Sequence, residues 1–487
     1  MRVWVVRLAA LLTMLAGSAR AEIPLEAISP KLSLAASLRT RGEVWNFFEP
    51  GGTTNDDYIF GATLTRLSLA WKDDAFDVVV EGQSSALFAL PDDAVGPPPI
   101  GALGHGGIYF ANNRAQNDAS VFLKQGFVNL KRLGIPGLSV KGGRFEFSEG
   151  SEVLTGDPTL DWLKNLRLSQ RLIGPFSFAH VGRAFDGAVV SFTRAPLNVT
   201  AMASHPTQGL FDLDGMDEMT DVDLAYGAVN LTRPSFASLG DGRFFYIYYA
   251  DDRGLLKSDN RAPDVRALDR EKIEAHTFGA HWIHMVPSSA GPLDFLAWGA
   301  LQTGDWGTLD HSGWAYAAET GWQPANVGWK PWLRFGYGRT SGDDDPADGD
   351  HDTFFQILPT ARIYSFTTFY NLLNNADAFA QLLLRPMPGL VSRTDFHDIR
   401  LTEGRDLWYQ GGGAWVSERD VGFGYAGRPA GGRTDLLRVL ETTLSYDLSP
   451  NVSIVLYYAH VFGGAIVRSM FAGDQGDFGY VEMTLKI

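Results

Sequence analysis

Arginine recurs at alternate positions in segments whose remaining alternate positions are apolar. Arg39 and Arg41 share a side with Lys31, Ser33, Ser37 and Glu43, while Leu32, Leu34, Ala36, Leu38 and Val44 share the other. Arg66 lies opposite Leu67, Leu69 and Trp71, and Arg144 and Glu146 alternate with Phe145 and Phe147. Arg334 goes with Gly336 and Gly338, opposite Leu333, Phe335 and Tyr337. Arg385 goes with Asp377 and Gln381, opposite Ala380, Leu382 and Leu384, and Arg393 goes with His397. A guanidinium is permanently charged and presents a planar fork of donors that grips a carboxylate bidentately. A file of such groups concentrates anions and passes a polyanion from one weak site to the next. The same arginines could instead be satisfied internally, because Glu43, Glu146 and Asp377 are available as partners in a ladder.

Other constellations carry weaker chemistry. Asp343, Asp344, Asp345, Asp348, Asp350 and Asp352 crowd one segment, and Asp343, Asp345 and Asp350 are candidate Ca2+ ligands because hard carboxylate oxygens suit that ion. The EF-hand spacing is missing, so a solvated acidic loop is the better reading. No other cofactor is expected. His281 and His284 differ in parity along one segment with His276, which points them to opposite faces and argues against a shared metal. Glu152, Asp157 and Asp161 would need a fixed separation to act as a glycosidase pair, and nothing in the sequence fixes it. Gly422 to Gly427 matches G-x-G-x-x-G, but Arg428-Pro429-Ala430-Gly431-Gly432 follows and cannot begin the helix a dinucleotide site requires. Neither H-E-x-x-H nor G-x-S-x-G occurs. The chain has no cysteine, which removes disulfides, thiolate metal sites and cysteine nucleophiles. The expectation is a protein that is not an enzyme.

What positions the arginines is a set of long strands. Residues 1–21 read as a cleaved signal peptide, with Arg2 and Arg7, an apolar run from Leu8 to Ala16 and an Ala19-Arg20-Ala21 cleavage site. Residues 22–487 then form a single domain. No later apolar run reaches the roughly 18–20 residues of a helical span, yet 45% of residues are hydrophobic and 12% aromatic. Period-2 alternation in the arginine segments, and again where Val481, Met483, Leu485 and Ile487 alternate with Tyr480, Glu482, Thr484 and Lys486, is the pattern of strands with a lipid face and a lumen face. Arginine at mid-membrane on the lipid face would cost about 2–4 kcal/mol, so the arginines are assigned to the lumen.

Connections alternate between short and long. Short ones fall at Lys72-Asp73-Asp74, Leu133 to Gly137, Arg194-Ala195-Pro196, Pro234 to Asp241, Pro287 to Gly291, Gln323 to Gly328, Pro386 to Gly389 and Asp447 to Asn451. Long ones fall near 47–57, 91–116, 149–177, 206–219, 252–269, 304–311, 342–375, 403–433 and 463–475. Eight turns and nine loops predict 18 strands in a transmembrane antiparallel β-barrel, with long extracellular loops, short periplasmic turns and contact with outer-membrane lipid and lipopolysaccharide. A β-propeller or β-helix would show a repeat of fixed period, and none is present. The formal charge of −15 argues against nucleic acid as a partner.

Several short segments, in order, carry a family resemblance: Gly143-Arg144-Phe145, Gln170-Arg171-Leu172-Ile173-Gly174, Arg183-Ala184-Phe185-Asp186-Gly187, Gln302-Thr303-Gly304, Ser341-Gly342-Asp343-Asp344-Asp345, Asp352-Thr353-Phe354-Phe355, Leu358-Pro359-Thr360 and Asp406-Leu407-Trp408-Tyr409. From about residue 35 to the end the chain resembles the alginate export family of outer-membrane proteins of Gram-negative bacteria. The resemblance implies an 18-stranded monomeric barrel with an arginine-rich constriction that passes a polyuronate outward. It makes Arg144, Arg171 and Arg183 constriction residues, with Asp186 as a partner for one of them. Arg171 falls in the third long loop, so it can act there only if that loop folds inward. The acidic stretch from Ser341 to Asp352 sets the chain apart from dedicated alginate secretion porins.

The leading functional reading is an outer-membrane channel with an anion-selective lumen that exports a polyanionic exopolysaccharide such as alginate. An exporter needs a gate and periplasmic secretion components. The alternative, a diffusion or uptake porin for small anionic solutes, needs neither.

Overall fold

Alternation of side chains dictates the wall of the molecule. In strand β1 (Leu32–Asn46), Ala35, Arg41, Glu43 and Trp45 are buried while Val44 is exposed. In β2 (Asp57–Lys72), Leu67 and Leu69 are 55% and 44% exposed, and Ser68 and Ala70 between them are buried. Large apolar side chains left bare on one face of long strands are the surface that lipid covers. In a computed structural model describing residues 22–232, 240–360, 369–410 and 427–487, this pattern continues around a closed sheet.

Sixteen further strands follow in chain order: β3 (Phe76–Phe88), β4 (Asp118–Leu130), β5 (Leu138–Phe145), β6 (Phe185–Arg194), β7 (Leu197–Pro206), β8 (Val222–Thr232), β9 (Gly240–Asp251), β10 (Ile273–Val286), β11 (Leu293–Trp306), β12 (Leu309–Trp322), β13 (Trp332–Thr340), β14 (Asn375–Met387), β15 (Leu390–Leu401), β16 (Asp435–Ser449), β17 (Val452–Gly463) and β18 (Gln475–Lys486). Each pairs antiparallel with its neighbours in sequence, and β18 closes on β1 with Arg41 opposite Glu482. The expected 18-stranded barrel is therefore what the chain forms. No described helix is long and apolar enough to cross a membrane. The signal-peptide residues 1–21 and most of the Gly422–Gly427 motif lie outside the described residues.

Some expected connections differ. The segment 304–311 is not a long loop: β11 and β12 run on to Trp306 and Leu309 and join through Gly307 and Thr308. Gly304 is a strand residue, and a Cβ there would sit 2.0 Å from the Glu274 carbonyl oxygen of the next strand. This glycine marks close backbone approach, not a turn. Asp241, read as part of a turn, already lies in β9.

The outer loops do not all project outward. Loop 2 (residues 89–117) carries helix α1 (Gly104–Asn113), and loop 3 (146–184) carries helix α2 (Pro158–Leu163), capped by Asp157 and continued by a π-turn over Lys164–Leu168. Tyr109, Leu163, Leu172 and Phe176 from these loops are fully buried or nearly so. Together with Phe354, Phe355 and Leu358 of loop 7 (341–374) they belong to two apolar clusters shared with lumen-facing wall residues such as Trp45, Trp298 and Phe478. The lumen is a packed core, and the apolar groups that fill it come from the loops as well as the wall.

Candidate functional site

Loops 3 and 7 meet in the lumen. Ile173 and Leu358 form a parallel bridge: Leu358 N donates to Leu172 O at 2.8 Å, and Gly174 N donates to Leu358 O at 2.8 Å. Thr360 N donates to Gln170 O at 2.9 Å on one side, and the Gln356 amide donates to Arg171 O at 3.2 Å. Loop 7 is held to the wall by Gln302 of β11, whose amide donates to Phe355 O at 2.7 Å while its oxygen accepts from Phe355 N at 2.7 Å. The side chain thus mimics a neighbouring strand. Loop 3 is held by Arg39, which donates to the carbonyls of Ser177 and Ala179 at 2.6 Å each, and by Ser85, Gln83 and Lys124, which donate to His180 O and Val181 O. Loop 3 therefore folds inward, as Arg171 requires.

The inward arginines are mostly matched. Arg41 pairs with Glu43 at 3.1 Å and Glu482 at 2.5 Å; Glu43 also accepts from Trp45 and contacts His105 at 2.8 Å. Arg66 binds Glu146 at 2.8 Å and reaches Glu81 at 3.4 Å. Arg334 pairs with Asp294 and with Glu319, the latter at 2.9 Å. Glu319 also accepts from Arg167 at 2.9 Å and lies 3.4 Å from Arg171, whose guanidinium stacks over Trp298. Arg393 pairs with Asp395, and Arg385 lies over Trp332. The internal ladder foreseen as the alternative is thus present. Loop 3 also supplies Lys164 to Asp241 and Glu149 to Arg243; these partners were missed because sequence parity says nothing about which residues an infolded loop delivers.

Two assigned residues face the other way. Asp186 shares its side of β6 with exposed Val190, opposite buried Phe185 and Val189, and Arg144 lies directly across from it on β5. Arg144 and Asp186 do pair, at 2.7 and 2.5 Å, and Arg144 also donates to Met216 O, but on the outward side at the extracellular rim. There an arginine costs close to nothing, unlike at the membrane midplane. Phe145 faces inward because loop 3 supplies an apolar partner inside the barrel.

Arg183 stands apart. It is fully buried in loop 3, donates to Pro359 O of loop 7 at 3.2 Å, and leaves Nε and Nη1 without a hydrogen-bond partner. No carboxylate pairs with it among the described residues, and burial lowers its pKa to about 9. A buried guanidinium without a counter-ion is costly, and this one sits at the seam between the two loops.

The remaining constellations make local contacts. In loop 7, Asp343 accepts from the Asp345 amide at 3.0 Å and Asp345 from the Ala347 amide at 3.1 Å, while Asp350 is exposed. Asp161 accepts from Thr155 and Asp157 caps α2, which holds the fold of loop 3, while Glu152 accepts from the Gly150 amide and from Tyr226 of β8. His281 faces inward to Asp241 at 3.0 Å, while His276 contacts Tyr246, so parity separates the histidines as expected.

A closed antiparallel barrel of 18 strands with bare apolar flanks and a charged, loop-filled interior defines an outer-membrane channel protein. The sequence matches the alginate export family over residues 31–477, and the chain belongs to that family. Among solved structures it is similar to Pseudomonas aeruginosa OccK9 (OpdG), with a TM-score of 0.58 at 10% identity, covering 94% of this chain and 98% of that one. It is also similar to Acinetobacter baumannii OccAB1, with a TM-score of 0.56 at 10% identity, covering 93% and 96%. No curated protein matches the sequence. Family and fold are those of a channel.

Proposed function

We propose that this chain is a gated conduit exporting a polyanionic polysaccharide, an alginate-like polyuronate, across the outer membrane of a Gram-negative bacterium, as a monomer fed by periplasmic secretion components. The observation that carries this reading is Arg183, a buried guanidinium at the seam of loops 3 and 7 that pairs with no carboxylate among the described residues. In the closed state the protein's own Glu43, Glu319 and Glu482 occupy the forks of the other arginines. A uronate carboxylate is chemically equivalent to these side chains. It can replace them one at a time once the loops part, and Arg183 offers an anion site with no competitor among the described residues.

The test is planar-bilayer recording with oligouronates. Block by the sugar that weakens about tenfold in Arg183→Gln supports the reading. An anion-selective pore indifferent to the sugar supports a small-solute porin.

A further inference from the structure

Away from loop 3, the lumen wall carries a second constellation on β14, β15 and β16. Gln381, Asp395 and Glu441 stand opposite one another across the three strands, and His397 lies two residues along β15 on the same inward side. Asp395, His397 and Glu441 are 1%, 0% and 2% exposed, and their potential ligand atoms lie within 4.8 Å of one another. His397 Nδ1 contacts both oxygens of Asp377, at 3.0 and 2.9 Å. An ionised carboxylate only accepts, so Nδ1 carries a proton, and in the neutral imidazole Nε2 would present its lone pair to the cluster. Among the described residues that Nε2 has no hydrogen-bond partner, nor has the amide of Gln381, while Asp395 is ion-paired with Arg393. Glu441 is oriented by the Tyr457 hydroxyl at 2.6 Å.

We propose that His397, Asp395 and Glu441 form a divalent metal site of the zinc class, with Asp377 as the residue that positions the imidazole. One imidazole nitrogen with two carboxylates is a borderline-hard donor set, suited to Zn2+ and its first-row neighbours and unsuited to Cu(I) or to the all-oxygen shell of Ca2+. A carboxylate behind the ligating histidine is the usual outer-sphere support. Charge fits as well. Asp377, Asp395 and Glu441 bring three negative charges and Arg393, ion-paired with Asp395, returns one, so a neutral imidazole leaves a surplus that a dication offsets. Three ligands leave a fourth position for water or Gln381. Bound metal would staple β15 to β16 beneath loop 7.

The experiment is titration of the full, EDTA-treated chain in detergent with Zn2+ by calorimetry and with Co2+ by visible absorption. The expected result is one equivalent bound at micromolar affinity or better, with tetrahedral Co2+ bands and a raised Tm. Binding should fall at least 100-fold in His397→Ala and Glu441→Gln, and about 10- to 100-fold in Asp377→Asn with stoichiometry kept. Absence of binding by the unaltered chain would overturn the proposal and leave His397 as an imidazolium in an ion-pair network. Binding that survives His397→Ala would overturn it too.

Discussion

Ile173 of loop 3 bridges Leu358 of loop 7 inside the barrel, with backbone hydrogen bonds of 2.8 Å on either side of Leu358. Two loops separated by eight strands, β6 to β13, therefore share one closure. Bridged residues in adjacent extended segments are within disulfide reach, and the chain has no native cysteine to interfere. Ile173→Cys with Leu358→Cys should lock the channel shut under oxidation and release it on reduction. Single-channel recording before and after reductant checks this; equal conductance in both states would mean that the loops do not gate.

Arg39 holds loop 3 through the Ser177 and Ala179 carbonyls. Hydrogen bonds from a charged donor are worth about 1.5–3 kcal/mol each. Arg39→Leu should raise amide exchange around 176–181 by about tenfold or more and increase open probability, while exchange in β1 stays slow.

Glu319 serves Arg167, Arg171 and Arg334 at once. Removing its charge leaves buried guanidiniums uncompensated, a change that typically costs about 3–5 kcal/mol. Glu319→Gln should lower the unfolding midpoint, whereas Glu319→Asp should recover part of the loss. Denaturant unfolding of the refolded protein measures both.

Loop 7 should loosen as pH rises. Burial, reinforced by the Asp406 charge, pushes the Asp343 carboxyl up to about 7, and burial pushes Asp406 up to about 6. Both pKa values exceed the ordinary value of about 3.9, so the folded loop prefers the protonated groups. Their contribution is complete below about pH 4 and is lost as pH climbs toward 7. Asp406 also accepts from Thr353 and from the Asp343 amide, which ties it to the start of the loop. Protease cleavage within 341–360 should be slower at pH 5 than at pH 8, and Asp343→Asn should flatten that difference.

The wall was legible in the sequence and the plug was not. Parity placed Arg39, Arg66, Arg334 and Arg393 inward because lipid excludes charge from the opposite face. It failed at Arg144 because it took Phe145 for a lipid-facing residue, while loop 3 makes part of the lumen apolar too. Gln302 was visible in one of the segments that carry the family resemblance, but its clamp on Phe355 joins residues 53 positions apart and leaves no local signal. Gly304 was misread as a loop because glycine marks close strand approach as well as turns.

The most direct test of the central claim is current through the reconstituted, cysteine-free chain with oligouronate added from the periplasmic side. The account predicts brief openings, anion selectivity and sugar-dependent block that weakens in Arg183→Gln. A steady, cation-selective or sugar-indifferent current would contradict it.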